Sequence, residues 1–131
     1  MTELAPMLID SDVLVWLTRG HVGAAQRLHA INPWRISAVT YIELAQGCRA
    51  KAELARLKNG LAARHTEVVP ITPATGERAA GLIDELALSH GVRLADALIG
   101  ATALELKATL ITANLKHFGA MPGLDSEAFA P

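Results

Sequence analysis

Two aspartates stand directly after a short apolar run near the start of the chain. Leu8 and Ile9 predict a buried strand that ends at Asp10. Asp12 is placed to act as the N-cap of the helix that follows. In open α/β sheets, ligands bind at the carboxyl ends of the strands, and a carboxylate there can hold a divalent cation. Turn and cap chemistry explains these two residues equally well when they are taken alone, because Asp is a common turn residue.

Three further oxygen-bearing side chains fall near similar strand-to-helix junctions. Glu43 lies one or two turns into a helix that follows a short strand, and Asp96 lies in the first turn of a strongly apolar helix. Asn114 follows the strand that ends at Thr112. In a parallel sheet such junctions share one edge, so these side chains would converge with Asp10. Hard oxygen ligands of this kind suit Mg²⁺ or Mn²⁺.

Each of these residues also has a purely structural interpretation. Thr40 and Glu43 have the spacing of a capping box. A carboxylate at Asp96 is favoured by the helix dipole, although an unpaired acid entering an apolar helix is costly, which favours a functional role. Asn114, taken alone, is best explained as an N-cap.

The apolar pattern alternates between strand-like and helix-like segments. Strands are predicted at 8–9, 34–36, 66–69 and 109–112, with an edge strand after Met121. Helices are predicted from about Asp12, at 24–31, 38–48 and 52–63, from Thr72 to Gly91, from Arg93, and at 114–118. This order predicts an α/β fold with a mainly parallel sheet.

The overall composition limits the class of protein. The 131 residues suit one domain over 1–131, and the 51% hydrophobic content is sufficient for a layered core. A net charge of −1 argues against a protein that coats nucleic acid, but not against an enzyme that contacts it locally. With Cys48 as the only cysteine, an intrachain disulfide framework is excluded and a reducing cytoplasm is expected. No segment has the length and apolarity of a membrane span, so we expect no membrane association.

A narrow apolar stripe on the helix at 52–63 has two interpretations. Leu54, Leu57 and Leu61 recur at helical spacing on an otherwise charged helix. They are either ordinary core residues or anchors for a partner helix, which binds grooves through residues of this spacing.

Four segments resemble the motifs of PIN-domain ribonucleases. They are LIDSDVL at 8–14, ISAVTYIEL at 36–44, RLADALIGATA at 93–103 and LITANLKHF at 110–118. Their order and spacing hold from about Met7 to Phe118, nearly the whole chain. The compact length is similar to that of the VapC toxins of bacterial toxin–antitoxin pairs.

The resemblance implies a fold, an activity and a set of partners. The fold would be a three-layer α/β/α sandwich with a mainly parallel central sheet. The activity would be RNA endonuclease cleavage that depends on Mg²⁺ or Mn²⁺. The partners would be the RNA substrate, a cognate antitoxin lying in a groove beside helices such as 52–63, and a second copy of the chain in a homodimer.

The resemblance also assigns roles to the candidate residues. Asp10 and Asp96 would be the main metal ligands, and Glu43 would bind the metal through water or orient the attacking water. Asn114 takes a fourth catalytic position where the family often has Asp, which bears on whether one cation or two are held. Ser11 and Thr112 would position the substrate phosphate or the carboxylates.

Two other classes of function are compatible with parts of the sequence. Asp10, Ser11 and Asp12 also resemble the opening of haloacid-dehalogenase-type phosphatases, where Asp10 would be a nucleophile, Asp12 an acid and Thr112 a phosphate-binding hydroxyl. Against this, no acidic pair follows a later strand to hold the metal. Alternatively, the chain is a binding module without catalytic activity, in which the acids only cap helices.

Overall fold

Strands and helices alternate along the computed structural model, which describes residues 6–131. The first five residues of the predicted domain lie outside this described part. The strands are β1 (Met7–Ile9), β2 (Arg35–Ser37), β3 (Glu67–Val69), β4 (Thr109–Thr112) and β5 (Asp125–Ala128). The helices are α1 (Ser11–Thr18), α2 (Val22–His29), α3 (Ala38–Gln46), α4 (Lys51–Ala63), α5 (Pro73–His90), α6 (Leu94–Leu106) and α7 (Leu115–Phe118).

Every strand pairing within residues 6–131 is parallel. β4 lies between β1 and β5, and β2 pairs with β3. β1 and β2 are in contact where these two hydrogen-bonded groups meet. The predicted parallel sheet is therefore confirmed, and its strands point their carboxyl ends toward the helices that follow them.

Alternate residues of the central strands face opposite layers of helices. Leu8 and Leu110 pack into one cluster with side chains of α5, α6 and α7, while Ile9 and Ile111 pack into a second cluster with α1, α2 and α4. This division follows from the two-residue period of a strand. It confirms the three-layer α/β/α sandwich.

Most helix ends lie where the sequence predicts them. Ser37 caps α3 by accepting a hydrogen bond from Val39 N at 3.0 Å, and Thr72 caps α5 by accepting one from Thr75 N at 3.1 Å. Gly91 ends α5 with a φ of 70°, a left-handed conformation that glycine adopts without a Cβ clash.

Two predicted caps are wrong. Helix α1 begins at Ser11, one residue earlier than predicted, so Asp10 rather than Asp12 is its N-cap. Helix α3 begins at Ala38, which places Thr40 inside its first turn and Glu43 in its second. Thr40 and Glu43 therefore do not form a capping box, and the carboxylate of Glu43 is available for another role.

The edge strand predicted after Met121 is β5, and a charged pair links it to α2. Arg27 Nη2 donates to Glu127 Oε1 at 2.7 Å, while Arg27 Nε contacts the other carboxylate oxygen. The guanidinium lowers the pKa of Glu127 through this hydrogen bond.

Within residues 6–131, no helix has both the length and the apolarity needed to cross a membrane.

Candidate active site

The buried carboxylate of Asp10 is the centre of the candidate site. Its side chain immediately follows β1 and is 5% exposed. Oδ1 accepts a hydrogen bond from Ser11 N at 2.8 Å, and Oδ2 accepts one from the Thr112 hydroxyl at 2.7 Å. Thr112 is fully buried at the end of β4. Its hydroxyl therefore orients the carboxylate, which is one of the two roles predicted for it.

Ser11 brings Glu43 to the same edge of the sheet. Its Oγ lies 3.2 Å from Glu43 Oε1 and 3.5 Å from Asp10 Oδ1. This contact joins the start of α1 to α3 and places the carboxyl end of β2 beside that of β1. Ser11 thus links two of the predicted catalytic carboxylates, and Glu43 itself is exposed to solvent.

Asp12 also belongs to this cluster, although it was predicted as a helix cap and the PIN-domain resemblance gave it no role. Its carboxylate accepts a hydrogen bond from Ala113 N at 3.2 Å, next to the end of β4. It lies close enough to Asp10 for its charge to raise the pKa of Asp10. The spacing of the two aspartates was the available signal, and the phosphatase interpretation did give Asp12 a chemical role.

Burial and like charge together disfavour the ionised form of these two aspartates. Burial, followed by the charge of Asp12, raises the pKa of Asp10 to about 7, against hydrogen bonds from Thr112 and Ser11 that lower it. Burial also raises the pKa of Asp12, and the charge of Asp96 adds to that rise. The negative charge of the cluster is therefore poorly compensated by the protein, as expected where a cation binds.

Asp96 and Asn114 meet at His117. Asp96 Oδ2 lies 2.8 Å from His117 Nδ1 and accepts a hydrogen bond from Arg93 N at 3.2 Å. Asn114 caps α7 through its Oδ1, which accepts from His117 N at 3.3 Å. Asn114 is thus an N-cap, as its type alone indicates. The side chain of His117 is largely sheltered from solvent, with 21% of it exposed.

The oxygen atoms present suit a hard divalent cation. Within residues 6–131, no three acidic, histidine or cysteine side chains are close enough to hold a metal ion together. Mg²⁺, however, usually takes one or two carboxylates and fills its other positions with water and substrate phosphate. Asp10 and Asp12, with Asp96 nearby, meet that smaller requirement, so the donor set fits the cation that the resemblance implies.

The fold and the site together define an α/β/α protein with a cluster of acidic side chains at the carboxyl edge of a parallel sheet. Residues 7–123 match the family model of the PIN domain. The chain therefore belongs to the PIN domain family, as its four motifs predicted. No curated protein matches the chain at a significant level.

Several solved structures share the fold over nearly the full length of the chain. A toxin–antitoxin complex from Klebsiella pneumoniae contains a chain 31% identical to this one, with a TM-score of 0.76, covering 90% of this chain and 94% of that chain. VapBC2 from Rickettsia felis, bound to a DNA fragment from its promoter, is 22% identical with a TM-score of 0.79, covering 95% and 98%. VapBC-1 from nontypeable Haemophilus influenzae is 24% identical with a TM-score of 0.75, covering 93% and 96%.

Replacing Asp10 by Asn should stabilise the protein in metal-free buffer. A folded pKa of about 7 against an unfolded value of 3.8 means that wild type loses stability as pH rises between these values. We expect a gain on the order of 2 kcal/mol for Asp10→Asn at pH 8, shrinking toward zero below about pH 4. This gain is smaller than the full difference between the two pKa values would give, because the charge of Asp12 also changes with pH. Urea denaturation in EDTA measures it.

The exposed aspartate on α5 gives a matched control, since Asp84→Asn makes the same chemical change away from the cluster. It should shift stability by less than about 0.5 kcal/mol at either pH. An Asp10→Asn variant less stable than wild type at pH 8 would show that the carboxylate is well compensated by the protein.

Proposed function

We propose that this PIN-domain protein is an endoribonuclease toxin that uses Mg²⁺ or Mn²⁺ and is neutralised by a cognate antitoxin. The observation that carries the proposal is the buried acidic cluster around Asp10 at the ligand-binding edge of the sheet. The similarity of this protein to a chain from a toxin–antitoxin complex supports the toxin role. The family assignment removes support for the phosphatase alternative. We expect the protein to act in the cytoplasm, where RNA is translated.

The acidic residues of the site divide into two roles. Asp10 and Asp96 would hold the cation, as the resemblance implies, and the position of Asp12 beside Asp10 adds a third carboxylate. When bound, the cation supplies charge neutralisation at the scissile phosphate and a more acidic water. Without a cation, the cluster would repel the phosphodiester backbone.

Glu43 is the candidate for handling the attacking water. Its carboxylate is exposed and is held at one oxygen by the Ser11 hydroxyl. It can accept a hydrogen bond from water and so orient that water for in-line attack on phosphorus. Ser11 and Thr112 contribute by fixing carboxylates, with Thr112 buried beneath Asp10 and out of reach of the substrate.

A groove beside α4 is the proposed docking site of the antitoxin. Two adjoining cavities of about 560 and 250 Å³ share Leu44, Arg56 and Leu57 in their walls. Glu43 lines the larger cavity, so a peptide lying there would reach the catalytic edge. The groove combines apolar walls with charges of both signs, which suits an amphipathic helix.

Leu57 and Leu61 of the predicted leucine stripe each contact the core and line this groove. Leu61 is buried in the core beneath α4 and also lines the smaller cavity, while Leu57 is partly buried, packs against the core and lines both cavities. Leu54 is half-buried and lines neither cavity. Homodimerisation remains an expectation from the resemblance, and light scattering of the purified chain would measure it.

Purified protein should cut cellular RNA in Mg²⁺ or Mn²⁺ and stop when EDTA is added. Asp96→Asn should retain the hydrogen bond from Arg93 N and therefore fold. It should nevertheless lose at least about 100-fold in cleavage rate, because mutating even a residue that only contacts a metal ligand typically costs 10–100-fold in metal affinity or activity. Gel assays of RNA cleavage measure both. Asp84→Asn should cut like wild type. Full activity in EDTA would contradict the metal-dependent mechanism, whereas no cleavage in either Mg²⁺ or Mn²⁺ would favour the binding module without catalysis.

Asn114 should matter less than Asp10. Its amide oxygen caps α7 and brings no charge to a cation, so a second cation should bind weakly or only with substrate phosphate. We expect Asn114→Ala to lose roughly 10-fold in rate and Asp10→Ala more than roughly 100-fold. Cleavage rates at saturating Mn²⁺ compare them, and equal losses would make Asn114 a core metal ligand.

Leu57→Glu should weaken antitoxin binding. The substitution removes the apolar surface that the antitoxin would bury and places a charge in the groove wall. It should cost about 2 kcal/mol of binding free energy, or roughly 30-fold in Kd. Calorimetric titration with the antitoxin, alongside a thermal melt, measures it. Leu54→Glu is the matched control on the same helix and should bind within about 3-fold of wild type. If Leu57→Glu unfolds the chain, Leu57 is a core residue and the groove assignment fails.

A further inference from the structure

His117 is in direct contact with a proposed metal ligand. Its Nδ1 lies 2.8 Å from Asp96 Oδ2 and 3.0 Å from Asn114 Nδ2. The side chains of His117 and Asp96 are 21% and 20% exposed. The contact is therefore largely sheltered from water, which strengthens a polar interaction relative to one at the surface.

The 2.8 Å separation requires a proton between the two atoms. A carboxylate oxygen and an unprotonated ring nitrogen both carry lone pairs and would repel each other at this distance. A carboxylate that binds a cation is ionised, so the proton must then reside on Nδ1. Asn114 Nδ2 is also a donor, so it cannot donate to that protonated nitrogen. The hydrogen bond between these two residues is consequently the one that caps α7, which His117 N donates to Asn114 Oδ1.

The cap and a buried neighbour hold the histidine in place. Asn114 Oδ1 accepts from His117 N at 3.3 Å, and the next residue, Phe118, is 1% exposed in the core. The other side of the ring, at Nε2, lies beside Gly91. The short helix α7 is thus anchored so that Nδ1 faces Asp96.

Both close polar contacts of Asp96 within residues 6–131 fall on Oδ2. Arg93 N contacts that oxygen at 3.2 Å and His117 Nδ1 at 2.8 Å. With Oδ2 occupied, Oδ1 is the oxygen left for an external ligand. The histidine therefore sets which oxygen of Asp96 a cation meets, and at what orientation.

We propose that His117 is a positioning residue, whose Nδ1–H fixes the Asp96 carboxylate for the cation, and that Asn114 acts through His117 by capping α7. This inference rests on the proposed function, because it concerns the same site. A partner that donates to a metal-binding carboxylate or imidazole typically contributes 10–100-fold in affinity, an order of magnitude that applies here.

Two substitutions of His117 distinguish this hydrogen-bonding role from a role of side-chain size alone. In His117→Asn the amide nitrogen occupies nearly the position of Nδ1, whereas in His117→Gln it lies nearer the position of Nε2. Titration of metal-free protein with Mn²⁺ by calorimetry should show His117→Gln binding at least about 10-fold more weakly, and His117→Asn within about 3-fold of wild type. The Mn²⁺ concentration for half-maximal RNA cleavage should shift in the same order.

The control is His29→Gln, an exposed histidine on α2 that should leave Mn²⁺ binding unchanged. Circular dichroism and thermal melts establish folding of each variant. Equal binding by His117→Gln and wild type, or equal losses in the Gln and Asn variants, would overturn the positioning role while leaving the proposed nuclease intact. Absence of both Mn²⁺ binding and cleavage in wild type would overturn the proposed function and this inference with it.

Discussion

The burial of Asp10 beside a second carboxylate is the constraint on which the rest of the site depends. Taking a carboxylate out of water next to another negative charge costs free energy, and the raised pKa of Asp10 reflects that cost. Hydrogen bonds from Thr112 and Ser11 to Asp10, and from the amide of Ala113 to Asp12, offset part of the cost of burying the two carboxylates. A fold that keeps such a residue tolerates local instability at its ligand edge, as functional sites commonly do.

Strand register ties this cluster to the core. Ile9 pairs with Ile111, which sets Asp10 beside Thr112 at the end of the β1–β4 ladder. A slip of β1 by one residue would turn Ile9 to the opposite helix layer and separate the carboxylate from its hydroxyl. Core packing thus fixes the site geometry. Glu43 connects the site to the groove beside α4, since it contacts Ser11 in the site and also lines that groove.

Local chemistry made much of the fold predictable from sequence. The apolar strands, the start of α3 and both ends of α5 depend on neighbouring residues and were predicted correctly. The four motifs were sufficient to indicate the PIN domain family, which the family match confirms. Where two local signals competed, as in the cap at Asp10 or Asp12 and the supposed capping box at Glu43, the choice depended on where the helix began, and sequence selected wrongly.

Long-range contacts were decided by the tertiary structure. Asp12 near Asp96, and His117 against Asp96, join residues far apart in the chain, and no local pattern encodes which side chains will meet across a sheet edge. The different burial of the two leucines on α4, with Leu61 buried and Leu57 partly exposed in the groove, depends on what packs beneath the helix. The sequence by itself determined the elements and the acids at their ends, because those follow from nearest-neighbour chemistry. Only the packed fold determined which of those acids share charge, because burial and Coulomb interaction depend on distance in space.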